Sequence, residues 1–355
     1  MTRTQRWRVG IAGAALLAAA AALACGRSGR SGPSARPLTP VRMAVGGQGQ
    51  LIYLPATLAG RLGYYRQEGL DVRIDDFAGG AQALEALMGG STDVVSGFYD
   101  HTIQLAADGR HLTAFVTMLR YPGLALAVSP KPSRPITDIR DLVGRRVGIT
   151  APGSSSQMLV QYLLSRRGLP ASSVSFVGIG TGATAIAALQ YGRVDAGIVT
   201  EPALTQLEQR TGPVRLLADL RTAAGVQEAF GTSAYPASVL YAQTGWIAAH
   251  QDTVQRLTRA LVRTLGWMQH HTPQEIAARM PASYRGGDTT LYVNALTHLM
   301  PIFSPDGLMP ADGARAVETL LAFALPKVRQ AHVDLSATYT NRFVTAAAAP
   351  AAAGH

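Results

Sequence analysis

Ser154-Ser155-Ser156 places three hydroxyls directly ahead of an apolar run, Met158 to Leu164. A helix starting there has unpaired N–H groups and partial positive charge at its N-terminus, which suits an oxyanion or a carbonyl. The same serines also suit the N-cap of that helix, a job one of them must do in any case. Two glycine turns, Gly79-Gly80-Ala81 and Thr181-Gly182-Ala183, each lead into an Ala/Leu-rich run, so a ligand could approach their backbone closely. Phe98-Tyr99 and Thr200-Glu201 each follow a β-rich run, and Gln50 and Tyr53 lie in the loop Gly47–Tyr53. The aromatics offer a wall that sheds water from a carbon skeleton. Glu201 has two readings. Ahead of Pro202 it can cap the next helix, where the dipole favours a carboxylate. Facing a cleft, it asks for a ligand with N–H donors, such as an aminopyrimidine or an amine, and disfavours a bare anion unless an arginine is near. Asp100 and His101 read as the start of a helix.

Enzyme motifs are missing from this set. Gly178-Ile179-Gly180-Thr181-Gly182 does not complete G-x-G-x-x-G, and neither G-x-x-x-x-G-K-[ST] nor H-E-x-x-H occurs. The serine run lacks the G-x-S-x-G frame of a nucleophile elbow. His270-His271 end a helical run and read as solvent-facing. The one cysteine excludes an internal disulfide framework and a multi-cysteine zinc site. Net charge is +10, but aromatics are only 6% and the arginines are scattered, which argues against a nucleic-acid surface. No metal and no cofactor is expected.

The elements around these residues alternate. Val41–Val45, Val72–Phe77 and Val94-Val95 read as strands, separated by helical runs such as the one with Leu58, Leu62 and Tyr65 on one face. Such alternation predicts a mainly parallel α/β sheet. An internal repeat sharpens this. Residues 80–93, GAQALEALMGGSTD, match residues 182–195, GATAIAALQYGRVD, at an offset of 102. The shared frame is glycine turn, helix, A-L-x-x-G-x-x-D, strand, the second glycine stopping the helix in a left-handed conformation. A period that long points to two similar lobes rather than a solenoid. The 355 residues also suit roughly two units. Leu124–Val128 and Ser238–Gln243 are read as the hinge strands where the chain crosses. Lobe I is then residues 41–123 and 240–325, and lobe II residues 129–235. The run Thr253–Met268 should bury Val254, Leu257, Leu261 and Leu265.

Residues 1–24 have the layout of a secretory leader: Arg3, Arg6 and Arg8, then about 16 mostly apolar residues. That is shorter than a stable span. Ala22-Leu23-Ala24-Cys25-Gly26 resembles a bacterial lipobox, which makes Cys25 the expected lipidation site. Residues 25–40, rich in Gly, Ser and Pro, read as a flexible tether, and 346–355 as a disordered tail.

Four segments carry a more specific likeness: GRLGYYRQEGLDV (60–72), ALEALMGGSTDV (83–94), ITDIRDLVGRRVGI (136–149) and GRVDAGIVTEPA (192–203). Their order and spacing behind the lipobox-like leader resemble the SsuA/THI5-like family of solute-binding proteins for ABC importers, over roughly residues 41–270. That family includes nitrate, sulfonate, taurine and pyrimidine-precursor binders. The resemblance implies a two-lobed periplasmic-binding-protein type II fold, with mixed, mainly parallel sheets, helices on both faces and two hinge strands. It implies a monomer with solute held between the lobes, anchored in the cell envelope and partnered by a permease with a cytoplasmic ATPase. Ligand contacts are expected from Gln50, Tyr53, Gly80, Ala81, Phe98, Tyr99, Ser154, Ser155, Ser156, Gly182, Ala183, Thr200 and Glu201. A sensor without transport is the alternative. The related pyrimidine synthases use a lysine for pyridoxal phosphate and a cysteine-rich iron motif. Here the only lysines are Lys131 and Lys327, neither in an expected cleft loop, and no cysteine lies outside the leader.

Overall fold

The computed structural model describes residues 37–348 except Ser233 and Ala311. The leader, Cys25, most of the tether and the last seven residues lie outside the described residues. Ten strands are present: β1 (Thr39–Gly46), β2 (Leu70–Phe77), β3 (Val94–Phe98), β4 (Leu112–Thr117), β5 (Leu124–Val128), β6 (Arg146–Ile149), β7 (Ser175–Gly178), β8 (Ala196–Thr200), β9 (Leu216–Asp219) and β10 (Ser238–Gln243). They form two five-stranded sheets, ordered β2-β1-β3-β10-β4 and β7-β6-β8-β5-β9. In each sheet three strands run parallel and the fourth in line is antiparallel to its neighbours. Every strand of one sheet thus has a counterpart in the other.

Register follows the repeat. Leu124 pairs with Thr200 in lobe II as Ser238 pairs with Phe98 in lobe I, and Phe98 and Thr200 are 102 residues apart. The two helices of the repeat, Gly80–Met88 and Ala183–Gln190, bury Ala83, Leu84 and Leu87, and Ala185, Ile186, Ala188 and Leu189. Gly90 (φ 75°) and Gly192 (φ 66°) follow them in the left-handed region, where a side chain would be strained. The repeat's aspartate has its own task in each lobe. Asp93 accepts the Arg42 backbone N–H at 2.8 Å and its guanidinium at 2.7 Å; Asp195 accepts the Arg146 backbone N–H at 3.1 Å. Each thereby ties the start of the repeat's central strand, β3 or β8, to the parallel strand beside it, β1 or β6. For both, burial works against the carboxylate, but the bonds from Arg42 to Asp93, and from the Ser133 hydroxyl and the Arg146 N–H to Asp195, outweigh it and hold each carboxyl low.

The expected hinge strands Leu124–Val128 and Ser238–Gln243 do not themselves span the lobes: they are the interior strands β5 of lobe II and β10 of lobe I, paired on both sides within one sheet, and the chain crosses just ahead of each. The crossing stretches ahead of them run side by side, with the Met118 N–H donating to the Ser238 carbonyl at 2.7 Å and the Ala237 N–H to the Leu119 carbonyl at 3.0 Å. Lobe I is finished by helices. Gln251–Gln269 buries Val254, Leu257, Leu261 and Leu265, the face its periodicity indicates. Lobe I also runs further than the sequence suggests. Helix Arg342–Ala348 buries Phe343 and Val344, with Phe343 edge-on to Phe115 of β4 at 6.4 Å. Ala346–Ala348 therefore belong to a helix, not a tail, because two apolar anchors dock that turn on the sheet. At the other end, Thr39 and Pro40 belong to β1, not to the expected tether.

Candidate functional site

The loops at the carboxyl ends of β1, β2 and β3 face those of β6, β7 and β8, the end of an open α/β sheet where ligands bind. Here the two sets touch. Ser154 Oγ accepts the Ala81 backbone N–H at 3.1 Å, and Ser155 Oγ donates to Asp100 Oδ1 at 2.7 Å. Thr200 Oγ1 donates to Gln50 Oε1 at 2.9 Å, and the Leu51 N–H donates to the Glu201 carbonyl at 2.9 Å. These four bonds all cross from one lobe to the other, so the lobes stand closed.

Two cavities lie along the seam and share Gln50. The smaller, about 20 Å³, is lined by Gln50, Tyr53, Gly80, Phe98, Ser154, Ser155 and Ser156, together with Ile52, Leu124 and Thr150. The larger, about 230 Å³, is lined by Gln50, Gly182, Ala183 and Thr200 among others. Ten of the thirteen expected contact residues thus line a cavity at one seam, and Ala81 and Glu201 reach it through backbone atoms. Local reasons place them. Ser154 occupies the N-cap position of helix Ser155–Ser165, yet its side chain does not cap that helix; it reaches lobe I instead. Ser156 stays within lobe II, its Oγ accepting the Thr150 N–H at 3.0 Å and fixing the loop. Gln50 is steadied by its own amide, which donates to the Gly46 carbonyl at 2.6 Å.

Two expected contacts point elsewhere. Tyr99 is fully buried inside lobe I, its hydroxyl 2.5 Å from Thr338 Oγ1 and its ring edge-on to Tyr339. Residue alternation around the end of β3 sends Phe98 to the seam and Tyr99 into the C-terminal segment. Glu201 is 0% exposed. Its Oε1 accepts Arg221 Nη1 at 2.5 Å, and its Oε2 accepts the Thr205 N–H at 3.1 Å and hydroxyl at 2.8 Å. The capping alternative is the one its side chain adopts, and only its backbone carbonyl meets the other lobe. Arg221 also grips Asp219, Nε to Oδ1 at 2.7 Å and Nη2 to Oδ2 at 2.8 Å. Burial opposes both charges, but their pairing raises the Arg221 guanidinium and lowers the Asp219 carboxyl.

The sequence reading missed two groups. Ser283, Tyr284 and Gly286, in the loop after helix Pro273–Arg279, wall the larger cavity with Gln206. An aromatic residue ahead of Gly286-Gly287 between two helical runs was the available signal. Asp100 and His101 do open a helix, Asp100–Ala106, but both are buried at the seam. His101 Nδ1 lies 3.1 Å from the Tyr241 hydroxyl and Nε2 lies 3.5 Å from Ser155 Oγ. Burial pushes the Asp100 carboxyl up and the His101 imidazole down, the latter against the pull of Asp100. Neither cavity is lined by a lysine or an arginine. Among the described residues no group of His, Cys, Asp or Glu is arranged to hold a metal ion, and no helix is long and apolar enough to cross a membrane.

Twin α/β lobes that close matched loops on a common seam define the periplasmic-binding-protein fold. The chain belongs to the NMT1/THI5-like family, whose sequence model matches residues 53–276. A solved structure from Bordetella bronchiseptica RB50 is 42% identical, with a TM-score of 0.84, covering 87% of this chain and 96% of that one. The alkanesulfonate-binding protein SsuA of Xanthomonas axonopodis pv. citri, bound to MOPS, shares the fold at 21% identity and a TM-score of 0.67, covering 86% of this chain and 100% of its own. Among curated proteins, the 4-amino-5-hydroxymethyl-2-methylpyrimidine phosphate synthase of Schizosaccharomyces pombe is 28% identical over 149 residues. That match covers 42% of this chain and 41% of the synthase, less than half the length of either.

Proposed function

We propose that this protein is the extracytoplasmic solute receptor of an ABC importer, anchored by a lipid on Cys25 and handing a small solute to a permease. The observation that carries the reading is the set of side-chain bonds across the seam, Ser154 to Ala81, Ser155 to Asp100 and Thr200 to Gln50. Each joins a loop of one lobe to a loop of the other, so a solute placed there contacts both. Closure then follows from its differential affinity for the closed state. Gln50, Tyr53, Gly80, Phe98, Ser154 and Thr200 are the proposed contacts.

The reading is of binding without turnover. Neither Lys131 nor Lys327 lines the seam, which leaves no amine there for a pyridoxal Schiff base.

A thermal-shift screen against alkanesulfonates, nitrate, aminopyrimidines and flavin-like compounds, paired with small-angle scattering, tests the receptor role. A true solute raises the melting midpoint, because it binds only the folded form, and shifts the population of lobe spacings. Failure of every class to do either refutes it. Loss of radioactive fatty-acid labelling in Cys25→Ser tests the anchor. Loss of solute uptake when the gene is deleted separates import from sensing.

A further inference from the structure

The two seam cavities differ in whether their polar groups are already engaged. Around the smaller one Ser154 is bonded to Ala81, Ser155 to Asp100, Ser156 to Thr150 and Gln50 to Thr200. At about 20 Å³ it has room for about one water. Of the two, only the larger, at about 230 Å³, has room for the body of a ring-sized solute. Thr181 and Gln206 of lobe II and Ser283 and Tyr284 of lobe I line it, and none of these four side chains makes a hydrogen bond among the described residues. Three of the four are bonded through the backbone instead. The Thr181 carbonyl accepts the Thr184 hydroxyl at 2.9 Å, and the Gln206 and Tyr284 N–H groups donate to the Pro202 and Pro281 carbonyls at 3.0 Å. The loop also presses on Gln206: a methyl group added at Gly286 would lie 2.8 Å from Gln206 Nε2. Close backbone contact thus holds the Gln206 carboxamide at the wall while its own hydrogen bonds stay open.

The wall of this cavity carries no charge. No lysine, arginine, aspartate or glutamate lines it, and the acids nearby are engaged. Glu201 Oε2 accepts the Thr205 N–H and so occupies the start of helix Ala203–Thr211. Asp76 Oδ1 accepts the N–H groups of Gly47 and Gln48. An oxyanion placed here would meet no cation, and it would face Asp76, which together with burial already pushes the Tyr284 hydroxyl up. An ammonium group would meet no carboxylate in the wall. What the four side chains offer is neutral hydrogen bonding. Gln206 presents an N–H donor and a carbonyl acceptor side by side, and another carboxamide matches both at once. No side chain caps the start of helix Ala183–Gln190, so its first N–H groups add donors for a carbonyl oxygen. The Tyr284 ring gives a flat group a face to lie on. We infer that Gln206 and Tyr284 are the residues that select the solute, and that the part of it they hold is an uncharged carboxamide. The inference rests on the receptor reading above and adds to its contacts a residue from a loop outside the repeat.

The test uses the full chain with benzamide, benzoate and benzylamine, which share one ring and differ in charge. Melting midpoints are followed by calorimetric titration. The expected result is that benzamide raises the midpoint while benzoate and benzylamine do not. Its affinity should fall about tenfold in Gln206→Leu, which keeps the bulk and removes both polar atoms, and by a smaller factor in Tyr284→Phe, which removes only the hydroxyl. Gln206→Glu turns the amide into a carboxylate of the same shape. It should exchange the preference for benzamide for one for benzylamine, a swap that a purely structural role would not produce. Circular dichroism checks folding, with Gln206→Ala as a second variant should Gln206→Leu fail to fold. A midpoint of the wild type raised by benzoate or benzylamine overturns the inference and leaves the receptor reading standing. Unchanged benzamide affinity in a folded variant without the Gln206 amide overturns it as well. Silence from all three probes also overturns it, and counts against the receptor reading too if scattering detects no change of lobe spacing with the wider solute panel.

Discussion

At the end of β3 the chain reads Phe98-Tyr99-Asp100-His101; 102 residues later, at the end of β8, it reads Thr200-Glu201-Pro202-Ala203. Both stretches leave equivalent strands, and both carry a carboxylate that is buried almost completely. In lobe II that charge is consumed locally. Glu201 gives one oxygen to Arg221 and the other to Thr205, and Arg221 is braced by Asp219. In lobe I the carboxylate meets no arginine, and its one side-chain donor comes from the opposite lobe. Repeated architecture therefore does not mean repeated chemistry. One copy uses its acid to hold its own corner together. The other keeps an acid whose pairing depends on whether the lobes are closed.

Arg221→Ala should have the largest effect on this contrast. It strands Glu201 in the interior, and breaking a buried pair from one side costs about 3–5 kcal/mol; the urea midpoint should drop accordingly. Acid should erode the same advantage. Asp219 has a lowered folded value, so its contribution is complete above the ordinary carboxyl value of 3.8 and disappears as pH falls through the folded one. Wild type and variant should thus converge on acidification.

Ser155→Ala should come next. It removes the hydroxyl that Asp100 accepts and leaves a buried acceptor without a donor, which costs about 1–3 kcal/mol. Because that bond crosses the seam, scattering should also detect a more open average form, whereas Arg221→Ala should leave lobe spacing unchanged in whatever fraction stays folded. Thr200→Val removes the neutral bond to Gln50 and should cost about 1 kcal/mol, with a smaller opening. A large change of spacing from Thr200→Val alone would mean that the seam is held at this one point.

Asp100→Asn should have the smallest effect without solute at acidic pH, because an amide has the shape of a protonated carboxyl and its oxygen can still accept the Ser155 hydroxyl. The sign at neutral pH then separates the lobes. Burial raises the Asp100 carboxyl, so the folded state keeps a proton that the unfolded chain has lost. Its contribution to stability falls as pH climbs from 3.8 through the folded value. The asparagine variant should accordingly gain on wild type over that rise. If it loses stability instead, Asp100 is a structural anchor like Glu201, and the contrast fails.

Much of this architecture was readable from local patterns. The offset of 102, the glycine stops and the Ala/Leu faces predict matched strand-turn-helix units, because period and turn chemistry act between near neighbours. The same logic puts Gln50, Gly80, Ser154, Gly182 and Thr200 in loops at one end of two sheets. Other features were beyond its reach. Tyr99 turning inward depends on Thr338 and Tyr339, more than two hundred residues away. Tyr284 reaches the larger cavity because a helical loop folds back over it.

Two α/β lobes, and the loops at one end of each sheet, follow from backbone geometry and apolar spacing within windows of about a dozen residues. How each acid is used follows instead from long-range packing. Whether a carboxylate is satisfied depends on which distant donor the packing brings within about 3 Å: Arg221 reaches Glu201 from the turn after β9, while Asp100 takes its donor from a serine of the opposite lobe.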